Sequence, residues 1–535
     1  MRQERRSGVI CHPTSFPGPH GIGDFGEAAF RFVEWMERGS QTDWQVLPLV
    51  PVGSGNSPYA SPSAFAANAL LISLPWLAGD GLLDEQQLAD APEFSASHVD
   101  YDAVRAYKLP LLREAFARFR RGAGSALRPA FNAYESENAR WLEDYALFMA
   151  LKDAHGGAAW SEWPPELALR QPEALAAARE RLQDEIRFHR FTQFLADRQW
   201  SEVRRYANQR GIQIIGDLPI FVAFDSADVW AHRGLFRLDR QGRPIEVAGV
   251  PPDAFTAEGQ FWGNPVYDWE ANARTGYQWW IDRVRATLAR VDILRIDHFR
   301  GFAASWVVPA GSPTAAAGHW EPGPGRQIFD AIESAIGSLP FIVEDLGLIT
   351  PDVIALREEL GLPGMKVLQF AFDSGPTNAY LPHNYVPNTV VYSGTHDNQT
   401  TIGWFRSLPE WTRANVQRYL GRDGSDIAWD LIRTAWSSVA DRAIAPLQDV
   451  MRLDDDARMN TPGRPTGNWA WRYATYQLHE GLAAGLREMS ETYGRADDAG
   501  PRGYDPYDYT APGTNHPLRA RAWPAEHEAD AALGR

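Results

Sequence analysis

The stretch VDILRIDHFRGF, residues 291–302, decides the fold. Val291, Ile293, Leu294 and Ile296 form an apolar run that reads as a buried strand, and Gly301 marks a turn after it. The run delivers Arg295, Asp297 and His298 at its far end. Residues 295 and 297 are two apart, so their side chains leave the strand on the same side. A guanidinium there lowers the pKa of a neighbouring carboxyl and keeps it ionised and nucleophilic. Taken alone, an R-x-D pair reads first as a buried structural ion pair.

Working outward, the same arrangement recurs. IQIIGDLPIFV ends at Asp217, PFIVEDLG at Glu344, MKVLQFAF near Gln369, and NTVVYSGTHDN at His396 and Asp397. Helical segments such as GYQWWIDRVRATLARV and GRQIFDAIESAIGS lie between them. Strand–helix alternation with nearly continuous apolar strands is the pattern of a parallel sheet covered on both faces. Polar residues at successive strand ends share one face in a closed barrel and one edge in an open doubly wound sheet, so this feature leaves both open. No dinucleotide-type glycine fingerprint follows the first strand, SGVICHPTSF. GDFGEAAFRFVEWMERGS reads as a helix capped by Asp24 and stopped at Gly39, and TDWQVLPLVPV as a second strand broken by Pro48 and Pro51.

Composition bounds the rest. The 535 residues are 44% hydrophobic and 22% charged, which is globular, and the net charge of −16 argues against nucleic acid and anionic lipid as partners. The single cysteine, Cys11, excludes an internal disulfide and a cysteine zinc site. The basic start MRQERRSGVICH has no apolar run behind it, and FAANALLISLPWLAG is short for a membrane span, so a cytoplasmic protein is expected. Aromatics reach 12%; most belong in a core, and some are candidate platforms for sugar rings. Residues 82–205 are Ala-, Glu-, Arg- and Leu-rich and read as a helical insertion between a first barrel part, 1–81, and the remainder, 206–500. Within the remainder, about 230–270 reads as a lid or groove insertion, and 501–535 as an irregular tail.

If the four strand ends meet, three or four carboxylates crowd one mouth. Like charges drive one pKa upward, leaving a proton-holding acid beside an ionised nucleophile, as glycosidic bond chemistry requires. A divalent cation is the rival use of such a cluster, and Arg295 argues against it. No metal and no cofactor is expected.

The strings GIGDFG, WQVLPL, SPYASPSAFA, IGDLPIFVAFDSADVWA, VAGVPPDAFTAEGQFWGNPVYDW, LRIDHFRGF, VEDLG, LPGMKVLQFAF and GTHDNQTTIGW, in this order, resemble the bacterial 4-α-glucanotransferases (amylomaltases, or disproportionating enzymes) of the α-amylase clan. The resemblance runs from about Ser7 to Tyr493. It implies an α/β fold, a (β/α)8 TIM barrel with inserted, largely helical subdomains. It implies α-1,4-glucan substrates, with Asp297 as nucleophile, Glu344 as general acid and base, and Asp397 holding sugar hydroxyls. Arg295, His396, Asp217, Tyr59 and Ser57 would support the site. Trp262, Gly263, Asn264, Pro265, Asp253 and Asn468 would line the glucan groove. The chain departs from the pattern at Ser54, Ala60 and Ala254, which are groove and lid positions. An α-amylase-like hydrolase, a non-catalytic glucan-binding protein and a metal-dependent barrel enzyme are the competing readings.

Overall fold

The computed structural model describes residues 5–252 and 258–496. Eight parallel strands close into a barrel: β1 (Arg6–Ile10), β2 (Asp43–Gln45), β3 (Gln213–Pro219), β4 (Ile293–Asp297), β5 (Phe341–Val343), β6 (Gly364–Val367), β7 (Thr389–Tyr392) and β8 (Arg442–Pro446). Each strand pairs with its neighbours in chain order, and β8 closes on β1 with Gly8 opposite Ile444. The segments after β3 and β4, before β6 and after β7 carry helices, giving the (β/α)8 arrangement.

Two apolar layers fix which side chains face the mouth. Ile10, Ile215, Ile293, Ile342, Met365, Val367, Val390, Tyr392 and Ile444 pack together inside the barrel. Alternate residues, among them Ile214, Leu294, Ile296, Phe341, Val343 and Val391, join the larger core under the helices. Because Ile293 points inward and the period is two, Arg295 and Asp297 point inward one and two steps nearer the mouth. The same parity carries Asp217 inward from Ile215 and Glu344 inward from Ile342. At the opposite end, Asp43 accepts from Arg6 Nε at 2.9 Å and from Arg442 Nη1 at 2.6 and 2.7 Å. Gly8 permits this closure: a Cβ there would lie 2.0 Å from the Asp43 carbonyl oxygen.

Between β2 and β3 the chain is mainly helical, with Tyr101–Arg121, Arg128–Glu137, Ala139–Ala154 and the long Gln183–Asn208. Phe119, Phe131, Phe191 and Phe194 form its aromatic centre. Gln183–Asn208 then returns to the barrel, where Trp200 packs on Trp44 and Phe25 and donates to Arg290 O at 2.8 Å. Among the described residues no helix is long and apolar enough to cross a membrane.

Two local readings change, the helix start and the strand end before His396, and the segment read as a lid gains detail. The first helix is Glu27–Arg38 with Gly26 at its N-cap; Asp24 instead accepts the Gly26 N–H at 2.8 Å, turning the chain into the helix. The segment read as a lid contributes to a four-stranded antiparallel sheet, in the order Gln260–Pro265, Glu246–Val250, Ala304–Pro309, His319–Pro322. Strand β7 stops at Tyr392, so His396 and Asp397 stand on the loop beyond it. The tail at 501–535, with Asp253 and Ala254, lies outside the described residues.

Candidate active site

Arg295 organises the mouth. Strands β3 and β4 pair with Asp217 opposite Arg295, and Arg295 Nη1 donates to both Asp217 oxygens, at 2.8 and 2.6 Å. The same Nη1 donates to Asp297 Oδ1 at 3.0 Å, while Nη2 stands 3.9 Å from Glu344 Oε2. Arg295 is 3% exposed and the Asp217 side chain 0%, so these charges meet with little water between them. Burial by itself would weaken the hold of Arg295 on its proton; Asp217, Asp297 and Glu344 more than offset this.

Glu344 follows β5 directly, and its Oε2 accepts the backbone N–H of His298 at 2.5 Å. His298 reaches this position in the left-handed region, with φ of 51°, directly after Asp297. Oε1 carries no protein hydrogen bond among the described residues, so it is the oxygen free to hold a proton. Burial raises the pKa of Glu344 and of Asp297, Arg295 opposes the rise in both, and the neighbouring acids add to it. The two carboxyls therefore share a proton to higher pH than an isolated acid. Arg295 Nη1 lies 3.0 Å from Asp297 and Nη2 3.9 Å from Glu344, while the His298 N–H favours the charged form of Glu344 as well.

The loop after β7 supplies the opposite wall. Asp397 Oδ1 accepts from Asn460 Nδ2 at 2.6 Å, and its carbonyl accepts from Arg458 Nη2 at 2.6 Å. Tyr59 OH donates to Asp217 Oδ2 at 2.7 Å and lies 2.9 Å from His396 Nε2. The phenol has one hydrogen, so His396 Nε2 must donate to it. Burial lowers the His396 pKa, which fits a neutral ring with its proton on Nε2 and its buried Nδ1 without a partner among the described residues. Ser57 accepts from Tyr59 N at 3.1 Å and sets the turn that aims the phenol. The Tyr59 ring stacks on His396 at 5.4 Å and 12°.

The expected groove residues divide. Trp262 stands at the mouth, 37% exposed, with its ring edge-on to His298 at 4.8 Å. Gly263 adopts φ of 78°, and Pro265 ends its strand opposite Val247. Asn264 donates to Val222 O at 2.9 Å and ties its strand to the segment after β3. Asn468 bonds within its own loop, accepting from Thr461 N at 3.0 Å and donating to Arg464 O at 2.9 Å. Sequence reasoning missed His298, Arg458 and Asn460. For His298 the signal was its place beside Asp297, though the backbone, not the imidazole, does the work. Arg458 and Asn460 lie in ARMNTPG, which carries no motif.

A closed barrel with acids gathered around one arginine at the carboxyl-terminal rim is the frame of a barrel enzyme. A family model described as 4-alpha-glucanotransferase matches residues 11–478, and the chain belongs to that family. It is 52% identical over 499 residues to a 4-alpha-glucanotransferase of Synechocystis, covering 92% of this chain and 99% of that one. A Thermus thermophilus 4-alpha-glucanotransferase is 49% identical over 499 residues, with 92% and 99% covered. The solved amylomaltase of Streptococcus agalactiae in complex with acarbose superposes with a TM-score of 0.89 at 38% identity, covering 92% of this chain and all of that one.

Proposed function

We propose that the protein moves segments of α-1,4-glucan between maltooligosaccharides by retaining double displacement. In the first step an Asp297 oxygen attacks the anomeric carbon, the bond from that carbon to the leaving glucan's O4 breaks, and the Glu344 proton passes to O4. In the second, an acceptor's 4-hydroxyl gives its proton to Glu344 as its oxygen displaces Asp297. Two inversions give net retention, and the proton returns to Glu344. Asp397, whose contacts to Asn460 and Arg458 support a fixed orientation, holds sugar hydroxyls in this reading. Crowded negative charge favours the cationic, oxocarbenium-like transition state. Amylose and glycogen are the larger candidate substrates. A cytoplasmic setting belongs to this reading and is supported by a lone thiol, Cys11, that is buried.

The observation that carries this reading is one guanidinium touching Asp297 while standing off Glu344. It supports a division of labour between nucleophile and acid. Chromatography of products from maltotriose tests it. Transfer yields glucose together with maltodextrins longer than the substrate; glucose and maltose alone would make the enzyme a hydrolase.

A further inference from the structure

Away from the mouth, a cleft of about 890 Å3 separates the helical insertion from the outer wall of the barrel. Its barrel side is a face of the helix Gln278–Leu288. Residues 278 to 289 extend about 16 Å at helical rise. Its far side is the start of the helix Ala139–Ala154, joined by the turn at 231–235.

In a chain with net charge −16, this lining is cationic: five arginines against two carboxylates, Glu137 and Asp282. Asp282 is already engaged, by Gln278 Nε2 at 2.9 Å and Arg140 Nη1 at 3.3 Å. Arg170 is committed to Asp144 at 2.7 Å. Arg233 has no carboxylate partner among the described residues; its Nη2 donates to Leu169 O at 2.7 Å. Burial first, and the neighbouring charge of Arg170 second, weaken its hold on its proton, as expected of a cation lacking a counter-charge. Arg274 is close by, because its helix packs on the same turn through Asn272 Nδ2 to Leu235 O at 3.1 Å. It is 67% exposed and only 3.9 Å from Glu270. Trp279, itself buried, closes the floor of the cleft.

Donors thus outnumber acceptors along the cleft. An oxygen-rich anion satisfies that imbalance, and guanidinium forks match phosphate oxygens in pairs. The volume falls within the ~300–1,000 Å3 typical of small-molecule sites and far exceeds a bare phosphate's needs. Trp141 offers an aromatic wall for a ring. We propose that this cleft binds a phosphorylated sugar, with the phosphoryl group held by Arg233 and Arg274 and the sugar against Trp141.

Calorimetric titration of the full chain with glucose 6-phosphate, glucose and orthophosphate tests this, in the wild type and in Arg233→Gln and Arg274→Gln. The expected result is saturable glucose 6-phosphate binding that each substitution weakens roughly tenfold or more, the worth of one charged hydrogen bond. The response to glucose and the turnover of maltotriose stay unchanged. Glucose 6-phosphate binding that survives both substitutions, or orthophosphate bound as tightly, overturns the proposal. Arg274→Gln, on an exposed arm, keeps the test decisive should Arg233→Gln fail to fold.

Discussion

Arg295 touches Asp297 at 3.0 Å through Nη1 and approaches Glu344 only to 3.9 Å through Nη2. One cation therefore stands closer to one of two buried acids than to the other, and the proposed division into nucleophile and acid rests on that inequality. The parity of β4 and β5 creates it: Ile293 and Ile342 face the barrel interior, so Asp297 and Glu344 arrive at the same mouth. The proposed chemistry rests on that placement rather than on any unusual residue.

Arg295→Gln should cost both stability and the acid side of the rate profile. It strands Asp217, whose side chain is 0% exposed, without its counter-charge. Breaking such a buried pair costs about 3–5 kcal/mol, read as a lowered melting temperature. Arg295 lowers the Asp297 pKa. Its removal raises that pKa, so the acidic limb of kcat/KM against pH moves to higher pH.

Glu344→Gln keeps the shape and removes the proton donor. Turnover of maltotriose should fall on the order of 10²–10⁴-fold. The first-turnover burst of fluoride from a maltosyl fluoride, whose leaving group needs no proton, should fall far less, although the second step slows with loss of the base. A burst slowed as much as maltotriose turnover would deny Glu344 the acid role.

Tyr59→Phe removes the hydroxyl that joins Asp217 to His396 at 2.7 and 2.9 Å. Leaving a buried polar partner unmet costs about 1–3 kcal/mol. The expected readout is a lower melting temperature with a further loss in kcat as His396 loses its orientation.

His20 is buried against Tyr107 and its pKa is lowered from 6.5 to about 4, chiefly by burial. Below pH 6.5 the unfolded chain takes up a proton that the folded chain refuses until about pH 4. His20 therefore contributes stability fully present above pH 6.5 and lost as pH falls toward 4. The loss is of order 3 kcal/mol at a single site. Denaturant titrations of wild type and His20→Gln between these values should show a shallower pH dependence in the variant.

Much of the site was legible because one rule, period two along a buried strand, carries Arg295 and Asp297 to the same side and repeats at Glu344. What the rule cannot reach is whatever long-range pairing decides. Strand β8 reads RAIAP, an alanine-rich run ending in proline, and becomes a strand only because β1 and β7 flank it. The strand Gln260–Pro265 begins with three exposed residues, Gln260, Phe261 and Trp262, so no apolar alternation marks it within a loop rich in proline and glycine. His298 acts through a backbone N–H placed by a positive φ, which its side chain does not advertise. Asn460 reaches Asp397 across 63 positions of chain.

The covalent step is the centre of this account, and trapping tests it most directly. Glu344→Gln protein, incubated with a maltosyl fluoride and quenched, should gain the mass of the sugar on the peptide carrying Asp297, and Asp297→Asn should abolish the gain. A label on Glu344 or Asp397 instead, or steady turnover by the Asp297→Asn protein, would contradict it.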